Sequence, residues 1–373
     1  MNVPKLRFKE FNDEWSYQSL SKYVNRITTK NKNNESNLVL TISAQYGLVD
    51  QTNFFNRSVS SSNLTGYYLL NNGDFAYNKS YSNGYPWGAV KRLNKYNQGV
   101  VSSLYICFKP NNLINSDFLE QYFETNKWYQ QISEVSVEGA RNHGLLNIAV
   151  NDFFNTKHYM PSIKEQEKIS NFLSLLDKKI ELQAKKIEDL KLFKLCNYDN
   201  LFSNQTHEVQ LKNISKIEKG KQLNNELLIE NGSYYMLNGG VSPSGYTNEY
   251  NANENTITIS EGGNSCGYVN FNKNKFWCGG HCYKVIPNGI NNNYLYHNLK
   301  YNEKKIMDLR VGSGLPNIQK KDIENFKISI HNENEQLKIS NYFDRYDLKI
   351  ELEELKLNKL IELKKGLMQN MFV

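Results

Sequence analysis

The sequence predicts an α+β chain: two mixed α/β domains joined by two long antiparallel helices forming a coiled coil, with a pseudo-two-fold internal repeat. Three observations predict it. A shift of 170 positions lays residues 144–202 on 314–372 without a gap, and about 23 of 59 positions are identical. Both copies space their apolar residues as pairing helices do. The segments before the two copies share an order of short strands and a helix, but hardly any sequence.

The chain therefore reads variable–repeat–variable–repeat, with domains expected at 1–160, 161–202, 203–330 and 331–373. In the first variable segment, Leu38–Ser43, Asp74–Tyr77, Gly99–Val101 and Leu104–Phe108 are expected strands, and Ser116–Trp128 a helix. The first repeat follows as a helix from about 163 to 200, roughly 57 Å long at 1.5 Å per residue. Its seam is Ile169, Leu173, Leu176, Ile180, Ile187 and Leu190. In the second variable segment, Ser233–Leu237, Thr256–Ser260, Gly267–Phe271 and Cys282–Ile286 are expected strands, and Asn293–Leu309 the matching helix. The second repeat carries its seam on Ile339, Phe343, Tyr346, Ile350, Leu357 and Leu360. Burying one such seam is worth on the order of 10 kcal/mol gross, so each helix needs a partner, and the other copy is the obvious one. Ser162 three residues before Glu165, and Asn332 three before Glu335, both resemble a capping box.

Composition narrows the function classes. With 373 residues, 39% hydrophobic and 22% charged, the chain is long enough for packed cores. No apolar run is long enough to span a bilayer, and Met1-Asn2-Val3-Pro4-Lys5 is not expected to mark export. Five cysteines suit a reducing cytoplasm better than a disulfide framework. The net charge of +7 lies mainly in residues 1–143 (+4) and 203–313 (+2), a mild bias compatible with nucleic acid.

Several motifs together give the chain a family likeness. These are Val3-Pro4-Lys5-Leu6-Arg7-Phe8 followed by Trp15, and Lys364-Lys365-Gly366-Leu367-Met368-Gln369 near the end. The helix openings Ser162-Ile163-Lys164-Glu165-Gln166 and Asn332-Glu333-Asn334-Glu335-Gln336 complete the set. With these, the chain resembles the specificity subunit of a type I restriction–modification enzyme, and the likeness covers nearly its whole length. It implies two target-recognition domains, each reading one half of a split sequence in double-stranded DNA, with the paired helices as a ruler. It implies no catalysis in this chain. Partners would be methyltransferase (modification) subunits, expected to number two, and restriction/translocase subunits. No cofactor is expected here; S-adenosylmethionine, ATP and Mg are expected on the partners.

Candidate DNA contacts fall in polar and glycine-rich loops at strand ends, where side chains can address base edges and phosphates. In the first domain these are Gln45 and Tyr46, then Tyr77, Asn78, Lys79, Ser80, Tyr81 and Asn83. Arg141, Asn142 and His143 lead into the first repeat, and Arg310 and Ser313 into the second. In the second domain the candidates are Asn238, Gly239, Gly240, Ser242 and Ser244, then Gly262, Gly263, Asn264 and Ser265. Plain surface turns have the same composition. No Walker lysine follows the glycines, and no G-x-G-x-x-G is present. Cys266, Cys278, His281 and Cys282 lie close together, but adjacent strand residues His281 and Cys282 point to opposite faces, so no metal site is expected. No Asn-Pro-Pro-Tyr-like segment or nucleophile elbow marks an enzyme. The alternatives are a DNA-acting enzyme of unrecognised motif and a two-headed adaptor for protein or glycan.

Overall fold

The computed structural model describes residues 2–55, 63–136, 146–203, 207–312, 314 and 316–373. The chain divides into two compact units, Met1–Leu182 with Leu357–Val373, and Gln183–Lys356. The repeats form continuous helices, Ile163–Phe202 and Glu333–Met371, and each unit holds part of both.

The first unit is built on a four-stranded antiparallel sheet in the spatial order Val24–Arg26, Ile106–Pro110, Phe75–Asn78, Ala89–Arg92. Hairpin strands Leu40–Ser43 and Gly47–Asp50 and the pair Tyr68–Asn71/Gln98–Val101 lie beside a second apolar cluster that includes Leu40, Leu48 and Val101. Ser16–Ser19 pairs with Lys157–Met160, which lies far along the chain. Leu104, expected to open a strand, is 68% exposed in the turn before Ile106. The second unit repeats the plan. Its sheet runs Ser215–Lys219, Cys282–Pro287, Thr256–Ser260, Val269–Asn272, again all antiparallel. Beside it, Tyr234–Leu237 pairs with Gly245–Thr247, and with Trp277–Cys278 in parallel.

Both expected helices of the variable segments are shorter than their apolar pattern. Ser116–Phe123 stops where Thr125 Oγ1 and Trp128 Nε1 donate to the carbonyls of Tyr122 and Phe123 (2.7 and 3.1 Å). Asn292–Tyr301 stops where the Asn302 amide donates to the carbonyl of Asn298 at 2.9 Å. In the first helix side-chain donors thus occupy carbonyls that would have continued it, whereas in the second the Asn298 carbonyl also keeps the Asn302 N–H at 3.1 Å and a short helix, Glu303–Met307, follows. Both helices begin on an asparagine cap, Asn115 accepting from the N–H of Phe118 and Asn291 from that of Tyr294, each at 2.9 Å.

The repeat's glutamine ties these caps to the long helices. Gln166 accepts the main-chain N–H of Asn115 at 2.8 Å and donates to the carbonyl of Pro161 at 3.0 Å. Gln336 does the same with Asn291 and His331, at 3.3 and 2.9 Å. Both bonds to the caps use backbone atoms of the variable segment, so a change of side chain there leaves them intact. Asn332 forms the expected cap, accepting from the Glu335 N–H at 3.0 Å. The expected capping box at Ser162 does not form. Its main-chain oxygen takes the Glu165 N–H, and Arg7 draws the Glu165 carboxylate away with two bonds of 2.7 and 2.8 Å.

Within each unit the two helices run antiparallel. In the first, Ile169 and Leu173 share the core with Met368, Met371 and Phe372, and Lys364 meets Asp177 at 2.5 Å. In the second, Tyr198 and Phe202 pack on Ile339 and Phe343, and Lys194 meets Asp347. Under the 170-residue shift these two ion pairs are the same pair. Phe202 and Phe372 correspond too, the first packing against Tyr294 and the second against Phe118. The seam residues Ile169, Leu173, Leu176, Ile187, Ile339, Phe343 and Ile350 are all buried.

Gln183 and Glu353, one repeat apart, bond directly at 2.7 Å, and Lys186 and Lys356 add bonds of 3.0 and 3.1 Å to the same carboxylate. These donors, Gln183 foremost, hold the Glu353 carboxyl down to about 2 from an ordinary 4.5. A depressed carboxyl stabilises the fold above its unfolded value and loses that contribution as pH falls through the folded one. Glu353→Gln is therefore expected to melt below wild type at neutral pH, with the gap closing between about pH 4.5 and pH 2. Parallel melting curves across that window would deny Glu353 this role.

Candidate nucleic-acid interface

In the first unit, two hairpin loops converge. One joins Leu40–Ser43 to Gly47–Asp50, the other Phe75–Asn78 to Ala89–Arg92. Gln45, Tyr46, Asn78, Ser80, Tyr81 and Asn83 line one cleft of about 310 Å³ that they form with Phe54 and Tyr85. Tyr46 and Tyr81 are each 61% exposed. Asn78 Oδ1 takes the N–H of Ser80 at 3.1 Å, which shapes the loop. The Lys79 carbonyl takes the N–H of Leu146 at 2.9 Å, and its ammonium donates to the carbonyl of Ile148 at 3.2 Å. Lys79 thereby fastens the loop to the opening of the repeat.

Tyr77 is a correction. It is fully buried, stacks on Phe153 with ring centroids 4.9 Å apart, and donates its hydroxyl to the carbonyl of Trp87 at 2.8 Å. Strand alternation turns it into the core, and it offers nothing to DNA.

In the second unit the loops joining Tyr234–Leu237 to Gly245–Thr247 and Thr256–Ser260 to Val269–Asn272 occupy the corresponding places on the sheets. They are clasped together. Ser260 Oγ donates to the carbonyl of Gly239 at 2.6 Å, the His281 N–H donates to Asn238 Oδ1 at 3.0 Å, and the His281 carbonyl takes the Glu261 N–H at 2.9 Å. Gly239 sits at φ 84°, and a Cβ there would come within 3.0 Å of His281, so the clasp needs glycine. Asn238 is half-buried, and its side-chain oxygen ties the two loops together. The Gly263 N–H bonds to the carbonyl of Pro316 at 3.0 Å, and Gly262 pairs with Asn317. A phosphate cradle on Gly263 is therefore ruled out, because its donor is used. Pro316 and Ile318 are the repeat equivalents of Leu146 and Ile148, so each unit pins this loop to the opening of its repeat. Ser242, Ser244, Asn264 and Arg310 are exposed, whereas Gly240 and Ser265 are half-buried. Arg141, Asn142, His143 and Ser313 lie outside the described residues.

The cysteines do not converge with His281. Cys266 donates to the carbonyl of Glu261 and Cys282 accepts from the Gly239 N–H, each at 3.0 Å and both buried. What the sequence reading missed is the charged knot beneath the clasp. Buried Glu261 holds the Lys219 ammonium at 2.6 Å and the Tyr283 hydroxyl at 2.9 Å. The pair Gly279-Gly280 just before His281 was the one signal of close packing there.

Gln45→Ala or Asn78→Ala is expected to relax discrimination at one base pair by roughly 1–3 kcal/mol. Lys79→Ala, which releases the loop from the Ile148 carbonyl, should lower affinity and discrimination together. An unchanged methylation rate and pattern in all three would remove this cleft from the interface.

Comparison with known proteins shows what the chain is similar to. Residues 204–363 match the type I restriction modification DNA specificity domain. A Mycoplasma pneumoniae protein named as a type I specificity subunit is 36% identical over 172 residues, 45% of this chain and 44% of that one. The whole chain superposes on the type I restriction–modification S subunit of M. genitalium with TM-score 0.63 at 20% identity, covering 100% of this chain and 99% of that chain.

Residues 204–363 thus carry a type I restriction modification DNA specificity domain. A Mycoplasma genitalium relative carrying the same designation is 34% identical over 155 residues, 40% of this chain and 39% of the relative. The chain thus matches less than half the length of either curated relative. A chain from a structure of type I complex assembly and conformational transition shares the fold as well, with TM-score 0.60 at 15% identity over 98% of this chain and 99% of that one. The family domain takes in the second unit's sheet, both clasped loops and most of the second long helix.

Proposed function

We propose that the chain is the DNA-recognition subunit of a type I restriction–modification complex in the cytoplasm, each unit reading one half of a split target. It carries no catalysis of its own. It directs methyltransferase subunits, two by expectation, and restriction subunits to the site, and those partners hold S-adenosylmethionine, ATP and Mg. One observation carries the reading: two sheets of identical order present loops of unlike sequence from the same places, on helices anchored by the same glutamines. Recognition needs that design. Three or four base contacts at roughly 1–3 kcal/mol each discriminate too weakly alone, whereas two readers at a fixed separation multiply their selectivity.

Support for partner subunits comes from Leu175, Leu182, Leu192, Leu195, Leu348 and Leu355, off-seam helix residues that remain more than half exposed. No helix among the described residues is long and apolar enough to cross a membrane. Binding of the full chain to duplex DNA is expected to weaken steeply as salt rises, through release of counterions. An affinity that stayed flat from low to moderate salt would end this reading and leave the adaptor.

A further inference from the structure

The second unit carries a lysine-lined concavity that the loop candidates do not include. Lys216, Lys219, Lys221, Lys284 and Lys320 line a space of about 480 Å³, and Glu218 is the one acidic residue in its wall. Carboxylates are fewer than ammonium groups. Glu218 serves both Lys216 (2.6 Å) and Lys284 (3.4 Å), Glu261 serves Lys219 (2.6 Å), and Glu324 serves Lys320 (3.3 Å). Among the described residues Lys221 has no acidic partner.

The segment Lys219-Gly220-Lys221 is held rigidly against the clasp. The Gly220 N–H donates to the carbonyl of Cys282 at 2.8 Å, the Lys221 N–H to that of Cys278 at 2.9 Å, and Trp277 Nε1 to that of Lys221 at 2.8 Å. A Cβ on Gly220 would lie 2.1 Å from the carbonyl of Gly279, so the segment runs against the turn whose next side chain, His281, joins the two loops. The lysine roots are therefore fixed immediately beside the loops that face bases in the proposed function.

We propose that Lys219 and Lys221 form a phosphate-binding strap that grips the DNA backbone next to the half-sequence read by the second unit. This rests on the DNA-recognition reading. A backbone phosphodiester fits because the surplus charge lines a concavity whose wall includes Lys219-Gly220-Lys221, the segment packed against the clasp. Bonds of this kind set register and affinity but carry no sequence information.

The test is the salt dependence of duplex binding by the full chain, with Lys219→Gln, Lys221→Gln and the double variant. Removing either ammonium from its phosphate should reduce the slope of log affinity against log salt by about 0.9, and removing both by about 1.8. For Lys221→Gln, which lies outside the Glu261 knot, the ratio of affinities for target and scrambled duplex should not move. Lys221→Arg should keep the slope, and Lys304→Gln with Lys305→Gln, at exposed positions of the helix Glu303–Met307, should not change it. A double variant with the wild-type slope overturns the strap while leaving DNA recognition standing. A wild type without salt dependence overturns the recognition reading and the strap with it. Titration with inorganic phosphate separates the sources: saturable phosphate binding abolished in the double variant, with an unchanged DNA slope, would assign the site to free anions and overturn the proposal.

Discussion

Exchanging residues 203–313 for the same segment of a related chain is expected to replace one half of the recognised DNA sequence and leave the other as it was. The bonds crossing the ends of that segment explain why the graft should hold. Many are main-chain bonds: the Leu211 N–H to the Phe326 carbonyl, the Ile330 N–H to His207, the Gly263 N–H to Pro316, and the Ile318 N–H to Glu261. Gln336 likewise reads only the N–H of Asn291. Side chains matter at a few places. The Tyr294 hydroxyl bonds to the His331 ring and its own ring packs on Phe202, and Asn293 bonds to Asp344 at 2.6 Å. His297, fully buried, bonds to Tyr198 at 2.8 Å and to Asp344 at 3.0 Å, so a donor segment with tyrosine at 294, histidine at 297 and a polar residue at 293 should dock without repair. The readout is methylation mapping of the hybrid complex. A hybrid that changed both halves of the target together would contradict independent readers.

The repeat is the most legible part of the chain because its signal is local and periodic. Ile169, Leu173, Ile339 and Phe343 announce a buried stripe at a spacing only a pairing helix uses, and the shift of 170 positions names the partner. Loops at strand ends are legible for a related reason: polar and glycine-rich runs between apolar strands have few other places to go. Long-range closure is not legible. Nothing near Ser16–Ser19 points to Lys157–Met160, and nothing near Phe372 says that it packs on Phe118. The errors in the candidate interface share this origin. Tyr77 misleads because a polar-looking strand end can face either way, and Gly263 because its donor is taken by a carbonyl far along the chain. Glu261 and Lys219 escape notice since isolated charges in sequence say nothing of their burial together. Even the capping box at Ser162 fails through a distant competitor, Arg7.

Lengthening both long helices by whole heptads is expected to lengthen the unread spacer between the two half-sequences. Seven residues keep the apolar seam in phase and add about 10 Å, roughly three base pairs at about 3.4 Å each. The insertions belong after Leu182 and after Lys356, at the boundary of the two units. Placed after Gln183 and Glu353 instead, they would slide those residues apart along antiparallel helices and break the Gln183–Glu353–Lys186 cluster. Placed at the boundary, Gln183, Lys186, Glu353 and Lys356 move as one. Facing matters as well as distance. An ideal helix drifts only about 20° per heptad, but three base pairs turn B-DNA by roughly 100° at about 10–10.5 base pairs per turn. One added heptad should therefore select a longer spacer at reduced affinity. Three heptads, about 31 Å against roughly 34 Å per turn of DNA, should bring the second half-sequence back to its reader and recover binding. A two-residue insertion, by contrast, rotates the seam of each helix away from its partner and should abolish assembly. Selection of targets from duplex pools of varied spacer, repeated for one, two and three heptads, gives the measurement. Full activity on an unchanged spacer would mean that the helices do not set the distance.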